Sequence, residues 1–209
     1  MRPLLWLVLI AGCAGDSGAL GNTNVSTECA PTDFACVTAG LDGPIAVGGV
    51  LPLSIDVDAL GTSSATMTLM SADPRVLKAA GTEVIGASPG VAALVMLSEG
   101  SAVDFLHVYV AAPNRVGLQR IDSGLVRQEL TDEIDMLVGD ELVVEIAPYK
   151  DTQRLLGHAT TTWAAGAPLT LLKDGVPARR RIVARTAGDT DVTVTSFGFT
   201  KTLHVAVLP

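Results

Sequence analysis

The feature that most constrains this chain is the way its apolar residues alternate. Leu51, Leu53, Ile55 and Val57 are interleaved with Pro52, Ser54 and Asp56, a period of two that turns one face of a strand to a core and the other to water. Short apolar runs follow at Thr66 to Met70, Val84 to Ile85, Val91 to Leu97 and Phe105 to Val110, divided by Gly, Pro, Asp and Ser turns. Strands at this spacing predict an all-β sandwich, and no stretch of the body sustains a capped helical period. Hydrophobic residues make up 48% of the 209, ample for a core, but aromatics only 4%. The apolar material is therefore Val, Leu, Ile and Ala, which suits small close-packed sheets better than an aromatic-lined cleft.

The second half of the chain repeats the first. Val47, Gly48, Gly49, Val50 and Leu51 correspond to Val138, Gly139, Asp140, Glu141 and Leu142, and both lead into alternating strands, the second carrying Leu142, Val144 and Ile146. Leu106 to Val110 matches Leu203 to Val207, and Val84 and Ile85 before Pro89 and Gly90 match Ile182 and Val183 before Ala187 and Gly188. Two copies of one unit follow, each the size of a small sandwich domain.

These residues resemble the bacterial Ig-like domains of group 2. The first copy carries the pattern through Val47, Gly48, then Met70, Ser71, Ala72, Asp73, Pro74, Arg75 and Val76, then Gly81 and Gly90. The second carries it through Val138, Gly139, Trp163, Gly175, Gly188 and the run Val192 to Thr195. Met70 stands where the family often has Trp, and Ala164 to Leu169 lacks the Ser-Asp-Pro signature. The resemblance implies two small Ig-like β-sandwich domains in tandem, over residues 41–112 and 113–209. Its motifs are turns and core positions, so it testifies to fold and carries no catalytic residue.

The N-terminus reads as an export signal. Arg2 is a positive start, Leu4 to Ile10 form a short apolar run, and the small residues Ala11 and Gly12 precede Cys13. A membrane span needs roughly 20 apolar residues, and this run is too short. Ile10, Ala11, Gly12 and Cys13 resemble the lipobox of bacterial lipoproteins. The resemblance implies a signal peptide of residues 1–12, cleavage before Cys13, and acylation of Cys13 by a diacylglyceryl group and an N-acyl chain. One acyl chain anchors only marginally, whereas several hold stably. Ala14, not an aspartate, follows the cysteine, which in Gram-negative sorting implies the outer membrane. Residues 14–28 are rich in Gly, Ser, Asn and Thr and read as a flexible tether, so residues 13–40 are expected to be lipidated cysteine and linker.

With Cys13 lipidated, Cys29 and Cys36 remain as an even pair in an oxidising compartment, and a Cys29 to Cys36 disulfide is expected. A metal site would need two more ligands nearby, and His107, His158 and His204 lie far away. Removing residues 1–12 takes away Arg2 and no acid, leaving 13 basic against 22 acidic residues and a charge of −9. Such a chain is repelled by phosphate backbones, which disfavours nucleic acid as a partner, and by anionic headgroups, which leaves the membrane contact to the lipid.

Sharper motifs compete with simpler readings. Gly86, Ala87, Ser88, Pro89 and Gly90 spell Gly-x-Ser-x-Gly, which in hydrolases is a strand-to-helix elbow. Here Val91 to Leu97 reads as a strand, so a small serine hydrolase using Ser88 is the alternative and a plain turn the preferred reading. His107 and His204 alternate with inward Leu and Val and should face water, and His158 falls in a polar loop. Asp56 with Asp58, Asp189 with Asp191, and the group Asp132, Glu133, Asp135, Asp140 and Glu141 could offer oxygens to calcium. None sits in an Asp-x-Asp-x-Asp-Gly loop, so they read as solvated faces, with no metal and no cofactor expected. Arg179, Arg180, Arg181 and Arg185 form one basic run. It is either a patch for an anionic glycan or a partner's carboxylates, or an exposed or edge strand whose charge deters sheet association. The reading that results is a lipid-anchored, non-enzymatic envelope protein for display, adhesion or scaffolding, with an envelope protein or glycan as its partner.

Overall fold

The computed structural model describes residues 16–30, 38–57, 67–121 and 127–209. Among them the regular structure is strand throughout, with no α-helix. The first sandwich contains β1 (Asp16–Ser17), β2 (Thr23–Thr27), β3 (Ile45–Ala46), β4 (Val50–Val57), β5 (Met67–Ser71), β6 (Leu77–Ala80), β7 (Glu83–Gly86), β8 (Gly90–Ser98) and β9 (Ser101–Ala111). One sheet runs β1-β2-β4-β7-β6 and faces a second, β3-β9-β8-β5. Between them Val25, Leu53, Leu77, Val84, Leu94 and Met96 are buried. Each such side chain contributes roughly 1.5–3 kcal/mol, and the alternation in β4 and β8 is what delivers them to one side.

The second sandwich contains β10 (Arg115–Ile121), β11 (Arg127–Glu129), β12 (Glu133–Leu137), β13 (Glu141–Lys150), β14 (Gln153–Arg154), β15 (Thr162–Ala165), β16 (Leu169–Lys173), β17 (Arg179–Ala184), β18 (Gly188–Ser196) and β19 (Phe199–Leu208). Its sheets run β11-β10-β13-β17-β16 and β12-β19-β18-β15, around Leu118, Val144, Ile182, Val192, Val194 and Leu203.

The two copies share a common frame of strands, although β14 has no counterpart in the first and the edge strand β1 precedes β2 where β11 follows β10. Each opens with a short strand that pairs in parallel with the last one, β3 with β9 and β12 with β19. Each then turns through a left-handed glycine, Gly48 at φ 80 and Gly139 at φ 97, where a Cβ would be strained. The turns share their bonding. Val47 N–H donates to the Ala111 carbonyl and Gly48 N–H to that of Gly86, while Val138 donates to Leu208 and Gly139 to Ala184. The final hairpins close through Glu99-Gly100 and Phe197-Gly198, all four at positive φ, the two-residue turn whose twist matches that of the strands. These shared features define two Ig-like β-sandwiches in tandem.

The expectation that residues 13–40 form a flexible tether is corrected by β2. Thr23–Thr27 pairs antiparallel with β4 over five residue pairs, from Thr23 with Val57 to Thr27 with Leu53, and Val25 is fully buried. It is the counterpart of β10, which lies beside β13 in the second copy. Asp104 on β9 holds it there. Its buried carboxylate accepts hydrogen bonds from the N–H groups of Leu20 (2.8 Å), Asn22 (2.8 Å) and Thr23 (3.0 Å) and from the Thr23 hydroxyl (3.1 Å). A Cβ on Gly18 would overlap this carboxyl.

Candidate functional site

The outward face of the second domain's larger sheet does not meet water everywhere. Along β13, Val144 and Ile146 enter the core, so Glu145 between them points the other way. It is nonetheless only 2% exposed, and Arg179, opposite it on β17, is 1% exposed. Arg179 donates to Glu145 Oε2 through its terminal nitrogen at 2.7 Å and Nε at 3.2 Å. Arg127 reaches Oε1 at 2.6 Å and Arg154 at 3.1 Å. Burial pushes the Glu145 carboxyl up, but the charges of Arg127, Arg179 and Arg154 outweigh it and hold the group below its ordinary range. Burial and the neighbouring Arg127 charge pull the Arg154 guanidinium down, and its Nε is buried without a hydrogen-bond partner.

This cluster floors a cavity of about 330 Å³ between the two domains, with Glu28, Asp42 and Pro52 on the first-domain side and His158 on the second. The domains are joined beside it. After β14 the chain crosses to the first domain, where Leu156 packs against the core. Ala46 N–H donates to the Leu156 carbonyl at 2.9 Å and Leu156 N–H to that of Pro44 at 2.8 Å. Val50 and His158 exchange both backbone bonds, at 2.8 and 2.9 Å. His158 is thus half-buried in a bridge between domains, not in a polar loop. Chemically the site is electrostatic: three guanidiniums surround Glu145, and Glu28 and Asp42 across the cavity bring the carboxylates on its lining to the same number.

The arginine run is dispersed by the fold. The expectation of an exposed or edge strand is corrected, because β17 lies between β13 and β16. Alternation separates its neighbours: Arg179 goes to Glu145, Arg180 packs 5.8 Å from the Trp163 ring, and Arg181 pairs with Glu141 (3.0 Å) and Asp174 (3.4 Å). Arg185 is exposed in the following turn.

Ser88 lies in the turn between β7 and β8, and its hydroxyl donates to the Arg75 carbonyl at 2.6 Å. Ala87 and Ser88 N–H both donate to Val76, as Arg185 and Thr186 donate to Pro168 in the second copy. The Gly-x-Ser-x-Gly run is therefore the repeat's own turn, leading into a strand, with Thr186 in the place of Ser88. His107 and His204 are exposed on equivalent strands. His107 stacks edge-on against Phe105 at 5.7 Å, and His204 Nδ1 lies 3.0 Å from Asp191.

Among the described residues no three metal-ligating side chains come together. Asp58, Cys13 and Cys36 lie outside the described residues. Cys29 is disulfide-bonded. Sequence reasoning missed Glu145, Arg127, Arg154 and Asp104. The available signal was a lone Glu inside the otherwise apolar run from Leu142 to Ala147, a position that demands a buried partner.

No protein-family model matches the chain, and no curated protein matches it. Solved structures do. Domains 4 and 5 of the S-layer protein SbsC match at 11% identity and TM-score 0.33, over 90% of this chain and 98% of that one. Invasin, described as a bacterial integrin-binding protein, matches at 13% identity and TM-score 0.36, over 93% of this chain and 41% of that one. FdeC, an Escherichia coli adhesin, matches at 12% identity and TM-score 0.33, over 80% and 60%. The sandwich assignment rests on strand order and register, not on these likenesses.

Proposed function

We propose that this chain is a lipid-anchored, non-catalytic protein of the bacterial envelope, whose two Ig-like domains act as one stiff unit for display, adhesion or scaffolding. The observation that carries this reading is the junction, where Leu156 packs against the first domain's core and the backbone bridge to Val50 lies beside the Glu145 cluster. A hinge would leave such a cluster in water, whereas a stalk that holds its outer end away from a membrane gains from fixing it. Anchoring is supported by the export signal and by Cys13 at its end, and Ala14 favours the outer membrane. Cys29 pairs with Cys36 in this reading, stapling the segment that leaves β2. The non-catalytic assignment is supported by Ser88, whose hydroxyl is committed to a carbonyl in a turn that recurs with Thr186. The partner is an envelope protein or glycan.

The test is intact mass and membrane fractionation of the native protein beside Cys13→Ser. Expected are a membrane-bound wild type with an acyl mass increment and a released or unprocessed variant. Equal trimming and equal solubility of the two would discard the anchor.

A further inference from the structure

Because the sheet β3-β9-β8-β5 and the sheet β12-β19-β18-β15 share their strand order and register, each is a control for the other's surface. On β8 and β9 the residues that point away from the core are Val91 opposite Tyr109, Ala93 opposite His107 and Val95 opposite Phe105, with Met70 of β5 beside Val95. In the same register the second domain has Asp189 opposite Ala206, Asp191 opposite His204 and Thr193 opposite Thr202, with Ala164 beside Thr193. The second set is what a sheet face in water ordinarily carries. The first contains no Asp, Glu, Lys or Arg, and it leaves Met70 and Val91 each 48% and Tyr109 59% exposed. Nothing in the fold calls for this, since Ala92, Leu94 and Met96 already supply the core. A contiguous exposed apolar face marks a contact surface.

The start of the chain indicates what it contacts. Gly18 to Asn22 lies along the edge of this sheet: Ala19 N–H donates to the Phe105 carbonyl at 2.7 Å, and Asn22 Nδ2 to that of Val103 at 2.9 Å. Leu20, in the same segment, is 63% exposed. Three residue steps separate Cys13 from Asp16 in β1, a reach of at most roughly 11 Å. With the tether shortened to this, a lipidated chain holds its first domain against the bilayer.

We propose that the outward face of β5, β8 and β9 docks on the lipid surface, a second and non-covalent membrane contact that rests on the lipid-anchor reading above. Val91, Val95, Phe105 and Met70 enter the interfacial region, and Tyr109 and His107 keep their polar ends among the headgroups. An acidic protein makes such a contact through apolar area, so it is strongest on zwitterionic lipid and weakens as anionic lipid is added.

The test uses the mature chain with Cys13→Ser, so that vesicle binding is read without the lipid and stands apart from whether native Cys13 is acylated. A Val91→Trp reporter mixed with phosphatidylcholine vesicles should shift its emission to the blue, and an Asp189→Trp reporter on the matching position of the second domain should not. Met70→Ala, Val91→Asp and Tyr109→Ala together install the second domain's own residues, which this strand geometry already accommodates. They should lower the vesicle partition constant about tenfold, a loss of about 1.4 kcal/mol, at an unchanged melting temperature. Equal binding by this variant and its parent overturns the proposal. So does concentration-dependent dimerisation that the three substitutions abolish without any vesicle binding, which would make the face a contact between two copies.

Discussion

The two domains close the same topology with different chemistry. Each must hold an early strand against its sheet, and each buries one carboxylate. In the first domain Asp104 is neutralised by N–H groups of Leu20, Asn22, Thr23 and Phe105, donors that belong to the backbone. In the second Glu145 is neutralised by three guanidiniums, and β10 is fastened by side chains, with Arg115 on Glu129 and over the Tyr149 ring, and Gln119 on the Tyr149 hydroxyl. Strand order dictates that an anchor is needed there and leaves its composition free. Backbone donors are indifferent to substitution at their own positions, so the first anchor depends chiefly on Asp104 and on Gly18 beside it, with the Thr23 hydroxyl as its one side-chain donor. The second has several points of failure.

The largest expected effect tests that asymmetry. Glu145→Ala strands a buried guanidinium at Arg179 between Arg127 and Arg154 and should cost about 3–5 kcal/mol, read by denaturant unfolding. A loss below about 1 kcal/mol would show that solvent already screens the cluster. Next comes Asp104→Ala, which orphans buried N–H groups and should cost about 2–3 kcal/mol, with faster amide exchange at Leu20 and Thr23. Burial raises the Asp104 carboxyl, but the donors from Leu20, Phe105, Asn22 and Thr23 leave it lowered overall. A depressed folded value stabilises above the unfolded pKa of about 4 and is lost as pH falls through the folded one. Asp104→Asn should therefore flatten the acid limb of the first domain's unfolding while leaving that of the second. The smallest effect contrasts the two equivalent histidines. The hydrogen bond that the His204 ring donates to Asp191 raises His204 above its ordinary value, so its proton should leave at higher pH than in Asp191→Ala, followed by proton NMR. Its contribution is present in acid and lost as pH rises through the raised value. An unmoved titration would mean that water separates the pair.

What could be read in advance depended on how local the cause was. The alternation of β4 and the turn glycines Gly48 and Gly139 are decided within a few residues, and they locate both sandwiches. β2 was hidden because Thr23–Thr27 carries a single apolar residue, Val25, and is held by a carboxylate on β9, far along the chain. Arg179 was misread for a related reason. Three adjacent arginines look like a surface patch until sheet neighbours separate them, and the partner that buries one of them is Glu145, 34 positions away. The run Val91 to Leu97 concealed more. Unbroken apolarity reads as a strand buried on both faces, whereas the structure buries Ala92, Leu94 and Met96 and leaves Val91 exposed.

The placement of Asp104 and Leu156 also sets an order of assembly. Synthesis proceeds from the N-terminus, yet the strand made first is fastened by a residue 84 positions behind Leu20, on the order of ten seconds later at typical bacterial elongation rates. Ile45 then waits for Leu156, which belongs to the other domain. The domain that emerges first is thus unfinished until part of the second has been made, and the second itself closes later still, on β19. A chain interrupted before Leu156 leaves an unfinished edge at Ile45 and Val50, and whatever escorts the nascent protein has to guard that edge until the second domain arrives.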